Sequence, residues 1–340
     1  MQGQAHQIAS NSAPARRARA FRPGRLVAAV LGLALAAAVI AVSHPDRIWA
    51  SLQQVELLPL IGALALNVPV VVLRAYRAQV VVAHLDHRVS MRHMMPVQLV
   101  GQTSSALTPA ASGDFVRAYL WRRSDSVPLR VGAAVVMFER LYSLWLLIAV
   151  SVLLITLPRH GVFGWVAVAV GLALGTVAPL LFELFPPAIE KWALAKVTRG
   201  RFFGRFADGA QGMMDHFRAL MRAPILLAWT SFISIAIFIL SGVQIWLVIA
   251  ALDHRVPITQ AVAAFATSQV AGILSTLPFG LGSADAILVT LFAGYGVTVT
   301  LAATVAVLLR AVTTVPQALA GLAAYAMVQK GSTEAEFEVQ

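Results

Sequence analysis

The 340 residues are 59% hydrophobic and 12% charged, with a mean hydropathy of +0.78. That leaves too little polar surface for a soluble domain and excludes that class. There is no cysteine, which excludes a disulfide framework and a thiolate metal site, and the formal charge of +11 has to be read from its distribution.

A hydrocarbon core of roughly 30 Å takes about 20 apolar helical residues. In chain order, six stretches qualify: 26–43, 57–83, 130–157, 162–185, 224–251 and 299–328. Four shorter apolar stretches lie near 94–110, 115–121, 258–277 and 284–296. They form two pairs, each around a Pro/Gly-rich break. Such pairs read as re-entrant hairpins, which survive only where protein or water surrounds the backbone. The expected fold is therefore all-α: about six spanning helices plus two re-entrant helical hairpins.

A basic, disordered cytoplasmic tail (1–24) precedes a transmembrane unit (25–329), and a C-terminal tail (330–340) follows. "RRARAFRPGR" before "LVAAVLGLALAAAVIAV" fits a retained first helix better than a cleaved signal peptide, since "AVS" at Ala41–Ser43 is a weak cleavage site. His84, His87 and His93 have only Asp86 beside them and read as interfacial histidines rather than a metal site. The basic linker 186–222 interleaves Lys and Arg with Trp192, Phe202, Phe203, Phe206 and Phe217, as an interfacial amphipathic helix does.

With a cytoplasmic N-terminus and six crossings, 19 of the 26 Lys and Arg fall inside. Arg47, Arg159 and Arg255 fall outside, and Arg74, Arg77, Arg140 and Arg310 fall within spans. This is the positive-inside bias, not a nucleic-acid footprint.

The pentapeptide LDHRV occurs at Leu85–Val89 and again, 167 positions on, at Leu252–Val256. Pro109 and Gly113 match Pro278 and Gly282 at an offset of 169, and Val127 and Arg140 match Val297 and Arg310 at 170. Asp114 nearly matches Asp285, and Arg74 and Arg77 match Ser241 and Gln244. The order is kept: long helix, LDHRV, broken hairpin, long helix with one deep Arg. This predicts an internal duplication with repeat 1 at about 57–157 and repeat 2 at about 224–328. Arg88, Arg92, Arg117, Arg122, Arg123 and Arg130 flank the first hairpin, whereas 258–297 has no basic residue. The copies are expected to be inverted across the membrane, an arrangement that transporters use for alternating access.

Ionisable groups inside lipid are functional candidates by default. Arg140 and Arg310 lie about ten and eleven residues into their spans, near mid-membrane. Two compatible readings stand side by side: each fork grips a phosphate, or each pairs with Asp114, Asp285 or Glu139 and staples a hairpin. The repeat implies that both arginines behave alike. Glu139 has Leu309 as its counterpart, so it has a duty its twin lacks: proton coupling, or an ion pair to another helix. Arg74 and Arg77 are close enough to the cytoplasmic end to snorkel, for lipid-phosphate contact or as part of a substrate route. Pro109, Gly113, Pro278, Gly280 and Gly282 break the hairpins, and the backbone N–H groups freed there attract anions. Gln102, Thr103, Ser104, Ser105 and Thr108 on one hairpin, and Thr267, Ser268, Gln269, Ser275 and Thr276 on the other, line a polar groove or join helices.

"LRAYR" (Leu73–Arg77), "TPAASGDFVRAYL" (Thr108–Leu120), "VPLRVGAAVVMFERLYSLW" (Val127–Trp145) and the run from Leu277 to Arg310 resemble the lysylphosphatidylglycerol synthase transmembrane-region family. The resemblance covers about residues 57–328 and implies a flippase-like integral membrane protein. Stand-alone members are linked to moving glycolipid, polyprenyl or hopanoid-type lipids. The family's Arg pair falls on Arg74 and Arg77, and its Pro…Gly-Asp/Glu…Arg run on Pro109, Gly113, Asp114 and Arg117. Its Glu-Arg falls on Glu139 and Arg140, its Pro-x-Gly-x-Gly-x-x-Glu run on Pro278, Gly280, Gly282 and Asp285, and its last-helix Arg on Arg310. Asp285 stands for the usual Glu, and Ser104–Ser105 stand where an Asn is common, departures that bear on the substrate more than on the fold. The synthases' aminoacyl-transfer domain is absent, so synthase activity is not implied.

The expected function is a bacterial inner-membrane lipid transporter or flippase, with both termini cytoplasmic. Its partners are membrane lipids, not nucleic acid; the oligomeric state is left unassigned. No cofactor and no metal are implied. No nucleophile–base pair or nucleotide loop marks an enzyme, which leaves a membrane-embedded lipid transferase as a weaker reading. The alternative from another class is a non-transporting scaffold that partners a lipid-biosynthesis or lipid-modifying enzyme.

Overall fold

The computed structural model describes residues 55–156, 204–275 and 282–337, together with residues 53, 277 and 280. The sequence-predicted spans 26–43 and 162–185, the N-terminal tail, most of the basic linker and Pro278 lie outside the described residues. Among the described residues the chain is helical and carries no strand. In order come α1 (Leu57–Ala65), α2 (Asn67–His84), α3 (Met91–Leu107), a 3₁₀ turn (Pro109–Phe115), α4 (Val116–Asp125) and α5 (Leu129–Thr156). Then follow α6 (Gly204–Met221), α7 (Pro224–Ala250), α8 (Ile258–Leu274), α9 (Ser283–Gly294), α10 (Val299–Leu309), a π turn (Arg310–Thr314) and α11 (Val315–Phe337).

Four segments are long and apolar enough to cross a bilayer: Leu57–His84, Leu129–Thr156, Pro224–Ala250 and Val299–Met327. They are four of the six stretches predicted. The predicted short pairs are α3 with α4 and α8 with α9. At 12 residues, α9 reaches only about 18 Å, too short to span.

Both copies of LDHRV close a helix in the same way. Asp86 and Asp253 take left-handed φ values of 61° and 53°. The Asp86 N–H donates to Ala83 O (3.1 Å) and the His87 N–H to Val82 O (3.4 Å). In the second copy Asp253 donates to Ala250 O (3.0 Å) and His254 to Ile249 O (3.3 Å). These are the two bonds of a Schellman cap. Asp is one of the few side chains that enter the left-handed region at small cost. Val89 and Val256 then bury themselves, and a 17-residue helix starts at the same distance in each copy. The pentapeptide is thus a helix stop followed by an anchor.

Packing is reciprocal. The first hairpin helix of copy one, α3, packs on α11 of copy two, and α8 of copy two packs on α5 of copy one. One apolar cluster gathers Trp121, Phe138, Val81 and Leu220, and the other gathers Ile245, Ile249, Phe292 and Val305. α7 contributes its first half to one cluster and its second half to the other. The described part of the linker, α6, lies on α5, with Phe217 and Leu220 buried and Gln211, Asp215 and Ala219 exposed. That is the amphipathic helix expected there.

Two long segments are interrupted where they meet. Pro69 has no N–H to offer, so the helix interrupts at Leu66 between α1 and α2. The last long segment has a π turn at Arg310–Thr314. Asn67 joins the two breaks: its Nδ2 donates to Leu64 O (2.8 Å) and to Val312 O (2.6 Å). Its Oδ1 accepts from Gln317 Nε2 at 2.9 Å.

Candidate functional site

The hairpin breaks are held by local bonds and by the deep arginines. In the first, Thr108 Oγ1 donates to Ser104 O (2.9 Å) and accepts from the Gly113 N–H (2.6 Å). A Cβ on Gly113 would stand 2.1 Å from Ser104 O, so only glycine lets the turn close on α3. Pro109 opens the 3₁₀ turn, where its missing N–H costs nothing. In the second, Gly280 and Gly282 have φ of 58° and 79°, which favours glycine. Asp285 Oδ2 accepts from the Gly282 N–H at 3.0 Å and caps α9.

Each break is then tied to the arginine deep in its copy's last long segment. Arg310 donates from Nε to Asp285 Oδ1 (2.9 Å) and from Nη2 to Oδ2 (2.7 Å). Arg140 donates from Nε to Asp114 Oδ2 (2.6 Å) and from Nη2 to Ser105 Oγ. The stapling contact anticipated from the sequence is therefore present in both copies.

Copy one adds a network that copy two lacks among the described residues. Arg117 is 2% exposed and lies 2.9 Å from Asp114 and 2.8 Å from Glu139. Its Nη1 donates to Gln98 Oε1 (2.5 Å), and its guanidinium sits over Trp121, 5.5 Å from the ring centroid. Gly101 makes room for it, since a Cβ there would meet Arg117 Cγ at 2.3 Å. Arg77 donates to Glu139 (3.2 Å), to Ser143 (2.8 Å) and to Ser234 (2.8 Å). Two sequence expectations change. Arg117 is an interior group rather than a flanking surface charge, and Arg77 points inward instead of snorkelling. Glu139 is the ion-paired partner of both. In copy two the Arg77 and Glu139 positions hold Gln244 and Leu309, so a complementary pair of charges is gone together.

Between the copies lies a cavity of about 310 Å³. Arg74, Gln102, Ser105 and Arg140 reach it from copy one, and Ser241, Gln244, Ser268 and Gln269 from copy two. Arg74 and Ser241 are repeat equivalents, and so are Gln102 and Gln269. The polar groove expected from the hairpin side chains exists and is shared by both copies. Arg140 lines it; Arg310, though equivalent in the repeat, does not.

Arg74 forms no ion pair or hydrogen bond with any described residue. Its charged neighbours are Arg77, Arg140, Asp114 and Glu139. Among the described residues neither Gln102 amide atom has a hydrogen-bond partner, and Thr267 Oγ1 is likewise unpartnered. Sequence reasoning missed Gln98, Ser143, Ser234, Asn67 and Gln317. Their signal was available: polar side chains inside apolar segments, each now hydrogen-bonded to a group on another helix or turn. Among the described residues no group of three His, Asp or Glu is arranged to hold a metal ion.

Two proteins named UPF0104 membrane protein, both from Methanothermobacter thermautotrophicus, are similar to this chain. The first is 23% identical over 296 residues, covering 81% of this chain and 88% of the relative. The second is 22% identical over 288 residues, covering 81% and 85%. Both relatives are archaeal, so the similarity supports a multi-pass membrane protein without supplying the bacterial setting expected from the sequence. The profile described as lysylphosphatidylglycerol synthase TM region matches residues 29–321, which is most of the chain. The protein is a multi-pass integral membrane protein, and it belongs to the lysylphosphatidylglycerol synthase TM region family.

Proposed function

We propose that the protein is a lipid transporter that moves headgroups between leaflets, with the cavity between the two hairpins as the passage. The observation that carries this reading is Arg74, a guanidinium with no ion pair or hydrogen bond among the described residues, in a polar cavity to which both copies contribute. An ionisable group at membrane depth is costly unless function requires it. The reciprocal packing of α3 on α11 and α8 on α5 supports a mechanism in which the copies rock about the cavity. One carboxylate ties each hairpin break to its deep arginine, Asp285 to Arg310 in the second and Asp114 to Arg140, and also to Arg117, in the first, so opening the second side breaks fewer bonds than opening the first. The lipid enters laterally, its tails staying in the bilayer. The two copies are inverted across the cytoplasmic membrane of a bacterium, with both termini inside, and the protein performs no chemistry on the lipid.

The test is reconstitution of the purified chain alone in liposomes with a fluorescent phospholipid, scored by reduction of the outer-leaflet dye. Translocation above protein-free liposomes, lost in Arg74→Gln, supports transport. No translocation over a panel of anionic and neutral lipids overturns it in favour of the scaffold reading.

A further inference from the structure

The charged groups beside the cavity do not balance. Asp114 is shared by Arg117 and Arg140, and Glu139 is shared by Arg77 and Arg117. With Arg74, four guanidiniums face two carboxylates, leaving two positive charges in excess among the described residues. Copy two has no such excess, because Asp285 and Arg310 cancel. Excess charge of one sign in a low-dielectric interior is strongly unfavourable unless a counter-charge arrives. A phosphodiester brings one negative charge. A phosphate monoester brings roughly 1.5 to 2 at neutral pH and three terminal oxygens instead of two.

Donors are available in matching number. Arg74 offers its whole fork. Arg140 uses Nε and Nη2 on Asp114 and Ser105 and keeps Nη1. The Gln102 amide has no partner among the described residues. Arginine forks and an amide suit the terminal oxygens of a phosphate.

We infer that the cavity selects a dianionic phosphate-monoester headgroup over a phosphodiester or a neutral one. This rests on the lipid-handling reading above, narrows it to one class of headgroup, and makes Arg74 the principal anion ligand.

The experiment measures binding in detergent, where there are no leaflets to cross, so it stands apart from the transport assay. The delipidated full-length protein is titrated with phosphatidic acid, phosphatidylglycerol, diacylglycerol and inorganic phosphate, read by native mass spectrometry and thermal shift. Phosphatidic acid should bind on the order of tenfold more tightly than phosphatidylglycerol, with diacylglycerol weaker still. Arg74→Gln should reduce phosphatidic acid binding about tenfold or more. That variant removes no bond within the described fold, so it should remain folded. Gln102→Glu, which lowers the excess by one charge, should narrow the preference for phosphatidic acid over phosphatidylglycerol. Equal binding of the two phospholipids overturns the inference, as does unchanged affinity in Arg74→Gln. Inorganic phosphate displacing phosphatidic acid at equal concentration would identify a soluble-anion site and overturn the lipid class. Failed transport with this selectivity intact removes the translocation reading alone; successful transport without it removes this inference alone.

Discussion

Asp285 meets Arg310 with both carboxylate oxygens, at 2.9 and 2.7 Å, while the same carboxylate caps α9 through the Gly282 N–H. One side chain thus fixes the start of a hairpin helix and neutralises a deep cation. Asp114 does the second of these for Arg140, but it also shares Arg117. The two copies use the same latch, embedded in a neutral pair in one and in a cationic cluster in the other.

The latch should be worth more than a surface ion pair. Asp285→Asn removes the charge and weakens the cap, and should cost about 2–3 kcal/mol, toward the lower end for a buried pair because both groups are only partly enclosed. Adding Arg310→Gln should restore part of the loss, since the orphaned cation goes too. Chemical denaturation of the single and double variants in detergent measures this. A double variant no better than Asp285→Asn would mean that the ion pair is not the source of the cost.

The two deep arginines should separate. Arg140 lines the cavity and bonds both Asp114 and Ser105, whereas Arg310 is engaged with Asp285 and does not line it. Lysine keeps the charge in either place but loses the fork. Arg140→Lys should lower translocation per folded molecule about tenfold or more, a loss of roughly 1.4 kcal/mol at the barrier. Arg310→Lys should leave it within about threefold. The equivalence expected from the repeat alone would instead make both variants fall together.

The two LDHRV corners were legible because each occurrence closes a helix through a left-handed cap that few residues satisfy. The hairpin breaks and the ionisable candidates were legible for the same reason: Pro, Gly and buried charge have few alternative uses inside a membrane. The partners of those charges were not. Arg117 looked like one of several arginines after a hairpin, because its burial depends on Gly101 and Gln98, which precede it on another helix. Arg77 and Arg74 are one helical turn apart, yet Arg77 is bonded and Arg74 has no partner among the described residues, a difference set by Glu139, Ser143 and Ser234 on two other helices. Spacing along one helix identifies a face; it does not identify what that face meets.

If the copies are inverted, the two corners face opposite sides. Ser90 and Thr259 are exposed beside the two LDHRV corners. In a chain with no cysteine, Ser90→Cys should react with a membrane-impermeant maleimide only from the cytoplasm. Thr259→Cys should react only from outside. Labelling of both from one face of intact cells or oriented vesicles would rule out the inverted arrangement.

The contact between α6 and α5 should weaken in acid. Partial burial, and then Arg130, hold the His216 imidazole below its ordinary value of 6.5; His87 adds to this and Asp215 opposes it. A depressed histidine stabilises the fold in its neutral form. That contribution is complete above pH 6.5 and is lost as pH falls through the lower folded value. Hydrogen-exchange protection of Gly204–Met221 should therefore drop between about pH 7 and pH 5 relative to α5. His216→Gln should flatten the response, and an unchanged pH response in that variant would assign it to another group.

Asn67 should be among the costliest polar residues to remove. Its amide donates to Leu64 O at the break before α2 and to Val312 O inside the π turn, and its oxygen accepts from Gln317 on α11. Asn67→Leu keeps the branching and heavy-atom count and leaves two carbonyls and two side-chain amides without that partner. At about 1–3 kcal/mol for each unsatisfied buried group, the total should be about 3 kcal/mol or more. The effect should also be directional. Val312 O is freed within the turn that carries Arg310, Thr313 and Thr314, the last two of which line the cavity. A π turn holds one residue more than an α turn needs and persists where outside bonds support it. Without Asn67, exchange protection should fall first across residues 310–317 and only afterwards in α7, where Gln244 also contacts Asn67. A uniform loss of protection would mean that Asn67 supports global stability and not the turn. A local loss accompanied by weaker lipid binding would tie the shape of the cavity to this one amide.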